Sequence, residues 1–196
     1  MPRFTPLDHD QPGAAGVALG LAKDRLGFVP NSLRIMARKP EIMAAFSNLA
    51  HAVWAPGSIS VELKGLIAHI TSRAATCDYC TAHTAGMALN RDAAEEKIEQ
   101  IWEYETSPLF SEPERAALRV AQLAGQVPNH VSDADFDALT DHFGEEQIAE
   151  IVAVISIFGF LNRWNDTMAT PLDEGPMDIG EKHLAGWGWS AGKHVA

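Results

Sequence analysis

The chain has 196 residues, 46% of them hydrophobic, which suits one domain with a sizeable core. Fifteen Lys and Arg against 26 Asp and Glu leave a formal net charge of −11, which argues against nucleic acid and anionic membrane surfaces as partners. The first residues lack the apolar core of a signal peptide, and the longest apolar run, Ile151 to Leu161, falls short of the ~20 residues of a membrane helix, so a cytoplasmic protein without a membrane partner is expected.

Residues 1–12 carry three prolines and read as an irregular arm. Ala14 to Leu26 reads as a helix closed by Gly27, and Asn31 or Ser32 is placed to cap a short helix from Leu33 to Arg38. Glu41 to Trp54 repeats apolar residues at helical spacing until Pro56-Gly57. Ser60 caps a helix expected to reach Ala75, and a further helix from Tyr79 to Leu89 follows. Asp92 is expected to start a polar helix to Tyr104. Ser111, with Pro113 and two glutamates beside it, starts another to Gly125. Ser132 caps a helix to Phe143, and Glu146 to Ala169 forms a long apolar one. From Pro171 the pattern dissolves among glycines, with Trp187 and Trp189 expected to pack on the body or on a neighbouring subunit. The fold class is all-α: a helical domain over residues 1–170 and a C-terminal arm over 171–196.

The two cysteines, Cys77 and Cys80, are spaced C-x-x-C, and His83 follows three residues later. On a helix, residues three apart share a face, and one turn can bring two Cα atoms within disulfide range. Two thiols and a base on one stripe suffice for redox or peroxidase chemistry. A structural zinc site would need a fourth ligand that the sequence does not supply, so no metal is expected. In a reducing compartment, a lone C-x-x-C points to catalysis or metal binding rather than to a structural staple. His69 interrupts an apolar face near this segment. His9, His183 and His194 lie in the arms, where solvent is their expected surrounding.

Residues 60–84 overlay 145–169 at an offset of 85, a weak internal repeat in which Cys77 and Cys80 fall on Asn162 and Asn165. Arg163, Trp164 and Asn165 are expected to build the packing and hydrogen bonding of that second half.

The run from Ser60-Val61-Glu62-Leu63 to Arg73-Ala74-Ala75-Thr76-Cys77-Asp78-Tyr79-Cys80-Thr81-Ala82-His83 resembles the alkylhydroperoxidase D and carboxymuconolactone decarboxylase superfamily. Gly27 to Ser32 and Asn162 to Asp166 are similar to its peroxidase-related members. The resemblance spans residues 20–170. It implies an alkylhydroperoxidase D-like helical fold assembled as trimers or hexamers. It also implies a thiol peroxidase that reduces small organic hydroperoxides and is recycled by an external dithiol reductant, without a bound cofactor. Cys80 would be the attacking thiol, Cys77 the resolving one and His83 a proton relay, although many members place that histidine four residues after the second cysteine. The family's relay glutamate lies twelve residues before the first cysteine, where this chain has Gly65. Glu62 and His69, one turn to either side, are the candidates to replace it, and Gly65→Glu would then raise turnover. Two rivals stand beside this reading: a cysteine-independent decarboxylase or lactone-acting enzyme, and a non-enzymatic redox sensor or scaffold.

Overall fold

A computed structural model describes residues 2–195, and among them the chain is helical without strands. The ten α-helices are α1 (Gly13–Leu26), α2 (Asn31–Met36), α3 (Pro40–Trp54), α4 (Val61–Ala74), α5 (Asp78–Leu89), α6 (Glu95–Glu99), α7 (Glu112–Gly125), α8 (Asp133–Thr140), α9 (Glu145–Met168) and α10 (Glu174–Ile179). The all-α expectation holds.

Helix α4 is the hub, packing on α5, α7 and α9. Its start follows from the sequence: the Ser60 hydroxyl accepts the Leu63 N–H at 3.1 Å. Leu66, Ile67, Ala68 and Ile70 are fully buried, so the helix is apolar on nearly every side. Lys64 lies inside as well, and its ammonium donates to the carbonyls of Val53 and Ala55 and to Glu150 Oε1 at 2.8–2.9 Å. A charge can stay buried only when its donors are matched in this way. Helix α9 is long and apolar enough to cross a membrane by length and composition alone. Here it packs on α3, α4, α5, α7 and α8.

Three expected elements differ. The polar helix from Asp92 shrinks to α6 and a 3₁₀ turn at Ile101–Glu103, because Asp92 has φ 67 and the chain turns to bury Ile98, Ile101 and Tyr104. Neither Asn31 nor Ser32 caps α2 with its side chain; Pro30 holds the cap position and partners from far along the chain satisfy the first amides. The C-terminal arm is ordered. It holds α10, a π-helical turn at Gly180–Leu184 and 3₁₀ turns at Ala185–Trp187 and Gly192–His194. It lies on the body, with the Trp189 indole N–H donating to the Asp78 carbonyl at 3.0 Å, while Trp187 stays half exposed. His183 and His194, expected in solvent, are both buried by this packing.

Candidate active site

The cysteines sit where α4 and α5 meet at a sharp break. Thr76 takes φ 54, a left-handed conformation that a β-branched residue rarely adopts. The break leaves Cys77 outside the helix as the N-cap of α5, so it is not a second helical stripe residue as the spacing suggested. Its sulfur accepts the backbone N–H of Cys80 at 3.4 Å. The two thiols are free and fully buried, in a cluster with Tyr79, Ala82, Leu172 and Ala191. Asn165 of α9 donates its amide to Cys80 Sγ at 3.4 Å. Burial pushes the Cys80 thiol well up, Cys77 adds to this, and the Asn165 bond opposes it.

One side of the pair is lined by a network centred on Asp173. Its carboxylate accepts from the Asn31 N–H at 3.1 Å, the Tyr79 hydroxyl at 3.0 Å and His83 Nε2 at 2.9 Å. A carboxylate only accepts, so Nε2 of His83 carries the proton. The Tyr79 hydroxyl accepts in turn from the Ser32 N–H at 3.2 Å, and its ring stacks on His83 with centroids 4.3 Å apart. Burial, then the nearby carboxylate, raises the Tyr79 phenol well above its ordinary value, so it stays a proton donor.

The other side holds a second group. The Cys77 sulfur, a ring nitrogen of His194 and a carboxylate oxygen of Asp166 lie within 4.8 Å of one another. Nδ1 of His194 is bound to the Thr170 carbonyl at 2.8 Å, so it carries the proton and Nε2 keeps the lone pair. Nε2 is buried without a hydrogen-bond partner and stands 4.0 Å from Asp166 Oδ1. Lys193 pairs with that same oxygen at 2.7 Å. Asp166 also lines a cleft of about 430 Å³ with Thr76, Asn162, Arg163 and His130. Both polar atoms of the Asn162 amide are buried there without partners.

The two candidates for the missing glutamate stand apart from the thiols. Gly65 faces Ala88 and His69 faces Thr84 across the α4–α5 hairpin, which places residue 73 level with Cys80. Glu62 is therefore about 16 Å away along α4 at 1.5 Å per residue, and it pairs with Lys97 at 3.0 Å. His69 lies one turn from the cysteine level. Its Nδ1 meets the Thr84 hydroxyl at 3.2 Å, and burial drives its pKa to about 3, leaving it neutral. Thr84 occupies the place four residues after Cys80, where many family members carry histidine. A glutamate at residue 65 has no room, because even a Cβ would lie 2.8 Å from the Ala88 Cα. The expectation that Gly65→Glu raises turnover is thus withdrawn on steric grounds.

Sequence reasoning gave no site role to Asp173, Asp166 or His194: Asp173 and His194 lie in the arm, and Asp166 lies near the end of α9, far from the motif in the chain. For Asn165 a signal existed, since the offset of 85 pairs it with Cys80.

The model of the carboxymuconolactone decarboxylase family matches residues 40–123. The chain is similar to the debrominase Bmp8, with 34% identity, a TM-score of 0.82, and coverage of 90% of this chain and 95% of that one. A cysteine-to-alanine variant of Bmp8 in complex with 2,3,4-tribromopyrrole matches at 36% identity over 91% of this chain and 95% of that one, also with a TM-score of 0.82. A peroxidase-related protein with an alkylhydroperoxidase D core, from Ralstonia eutropha JMP134, shares the fold at 24% identity and a TM-score of 0.76, covering 89% of this chain and 94% of that one. The uncharacterized protein YnjA of Escherichia coli (strain K12) is 29% identical over 109 residues, which span 56% of this chain and 60% of that protein's length.

Proposed function

The chain belongs to the carboxymuconolactone decarboxylase family within the alkylhydroperoxidase D-like superfamily, and from that premise we propose that it is a dithiol oxidoreductase. Cys77 and Cys80 would pass two electrons to a small organic hydroperoxide and close to a disulfide, which an external dithiol reopens. One observation carries this reading: two free thiols stand at the N-cap and in the first turn of one helix, the first accepting the amide N–H of the second at 3.4 Å. Side-chain rotation alone can then join them, since residues three apart on a helical turn fall within disulfide range. The chemistry also needs a proton for the departing alkoxide. Tyr79 and His83, both tied to Asp173, hold protons on one side of the pair, and His194 stands on the other. The site would work in the cytoplasm, within a trimer or hexamer of this chain.

The likeness to Bmp8 favours a second substrate class, an aryl bromide. The two reactions are one in outline. A thiolate attacks an electrophilic heteroatom, oxygen or bromine, the bond to carbon or to the second oxygen breaks, and the other thiol displaces that heteroatom from sulfur.

Reduced wild-type protein is mixed with cumene hydroperoxide or a brominated pyrrole, and disulfide and organic product are followed together. Stoichiometric disulfide with alcohol or debrominated product supports the reading, and the faster substrate names the class. Oxidation no faster than that of an ordinary thiol with either substrate rejects it. Activity surviving in a Cys77→Ser, Cys80→Ser double variant would instead favour cysteine-independent decarboxylase or lactone chemistry.

A further inference from the structure

We propose that His194, carried in by the C-terminal arm, is the base that takes the proton from Cys77, making Cys77 the attacking thiol and Cys80 the resolving one. This rests on the dithiol reading above and reverses the order of attack that the family resemblance implies.

Three observations carry it. The first is the tautomer: the Thr170 carbonyl fixes the proton on Nδ1 and leaves a lone pair on Nε2. The second is that this nitrogen is buried without a partner, and buried polar atoms rarely stay unmatched without a reason. The third is proximity, with the Cys77 sulfur, the imidazole and Asp166 within 4.8 Å of one another. Catalytic hydrogen bonds are often long before substrate binds and tighten afterwards. Among the described residues no imidazole or carboxylate is bonded to the Cys80 sulfur, which accepts from the Asn165 amide and pairs with the Cys77 thiol.

The trio is not a cation cage. Lys193 already sits 2.7 Å from the same Asp166 oxygen, and a metal would have to displace that ammonium. Asp166 is better placed to stabilise the imidazolium that forms on proton transfer. The groups facing the ring are Lys193 from its own turn, Asp166 from α9, and Asp78 and Tyr79 from α5. Their balance, led by burial, lowers the His194 pKa, so the ring is a neutral base at the outset. Of the trio, Asp166 also lines the cleft beside Thr76 and Asn162.

The steps balance. His194 Nε2 takes the Cys77 proton, and the thiolate attacks the outer oxygen of ROOH. The O–O bond breaks, and RO⁻ leaves with the imidazolium proton as ROH. Cys77 is now a sulfenic acid. Cys80 attacks its sulfur, the S–S bond forms, and hydroxide leaves with the Cys80 proton as water. An external dithiol then restores both thiols.

The test uses the full chain as Cys80→Ser and Cys77→Ser, the former also with His194→Gln. Cumene hydroperoxide is added, sulfenic acid is trapped with dimedone, and the adduct is located by mass spectrometry. Cys80→Ser should collect the adduct on Cys77, and at least about tenfold faster than Cys77→Ser collects any on Cys80. His194→Gln should slow this about a hundredfold at neutral pH, the scale of a lost general base. It should also move the pH profile of Cys77 alkylation by iodoacetamide to higher pH, since the base that takes its proton is gone. Adduct formation on Cys80 in Cys77→Ser as fast as or faster than on Cys77 in Cys80→Ser, or a Cys77 profile unmoved by His194→Gln, overturns the proposal. Where His194→Gln fails to fold, the adduct position in the two cysteine variants supports or overturns it alone. Alkylation needs neither peroxide nor a second thiol, so a wild type inert to peroxide and to brominated pyrrole sinks the dithiol reading while the His194 effect stays measurable.

Discussion

Residues 60–84 and 145–169 start alike and end differently. Each opens as an apolar helix at the centre of the fold, α4 and α9. At Thr76 the first breaks, and Cys77 becomes a helix cap. At the matching place the second runs on through Leu161 and Asn162 to Met168 without interruption. Cys80 and its counterpart Asn165 touch, sulfur to amide, at 3.4 Å. The second half thus supplies the floor of the site and the first half its reacting atoms. What separates them is one backbone break: it turns a buried helical position into a capping sulfur that faces His194 and Asp166.

Placing the second half's residue into the first is the sharpest way to break that comparison. Cys77→Asn imports the Asn162 side chain at a position where asparagine is a good cap. The fold should stand, with a stability change of about 1 kcal/mol or less, read by chemical denaturation. Two-electron reduction should fall to the background reaction, as loss of a nucleophile does, read as disulfide formed per peroxide added. Retained turnover would show that the break serves the fold rather than the chemistry.

The next largest effect concerns Gly65 and its counterpart Glu150. The second-half glutamate is an anchor, accepting from the amides of Ser58 and Ile59 and from Lys64. Its first-half partner is glycine because α5 passes so close that Ala88 fills the space. Gly65→Glu would force the helices apart and bury a carboxylate without a partner. A loss of about 3 kcal/mol or more is expected from overpacking and desolvation together, with no gain in peroxidase rate. A folded variant with faster turnover would reinstate the relay argument.

His69 against Val154, its counterpart, gives a smaller and pH-dependent effect. Both side chains are fully buried. Burial drives the His69 pKa to about 3 in the fold, against about 6.5 in the unfolded chain. A depressed folded pKa means that the unfolded state binds the proton first. The contribution is therefore fully present above pH ~6.5 and lost as pH falls toward ~3, at about 1.4 kcal/mol per unit. His69→Val should be more stable than wild type by about 2 kcal/mol at pH 5 relative to their difference at pH 7.5. Parallel denaturation curves at the two pH values would show that His69 is reached by protons in the fold.

The sequence carried the helices well where caps and apolar spacing agree. Ser60, Ser111 and Ser132 all sit at helix starts, and Gly27 closes α1 with φ 78. It also carried the dithiol and the family. The surroundings of the dithiol were hidden, for a physical reason. Asp173 and His194 owe their places to the arm folding back onto Asp166 of α9, and the arm shows no hydrophobic period because it is built of short turns. Gly180, one of the glycines among which the pattern dissolves, is instead a point of close packing under the Trp189 ring. Glu62 and His69 looked near the cysteines because helical spacing fixes a face and not a height along the hairpin.

The smallest effect lies at the break itself. Thr76 holds φ 54 against its own branched side chain, a conformation that costs about 1–3 kcal/mol. Glycine adopts it freely but loses more entropy on folding, about 0.5–1 kcal/mol. Thr76→Gly should therefore stabilise the protein by about 1 kcal/mol, or 2–4 °C in Tm for a chain of this size. If the strained residue also fixes the direction of the Cys77 sulfur, the same variant should oxidise more slowly to the disulfide, stability and rate moving in opposite senses. A gain in both would mean that Thr76 is only a poor fit to its turn, and that the cap geometry of Cys77 is held by the Cys80 amide and the arm alone.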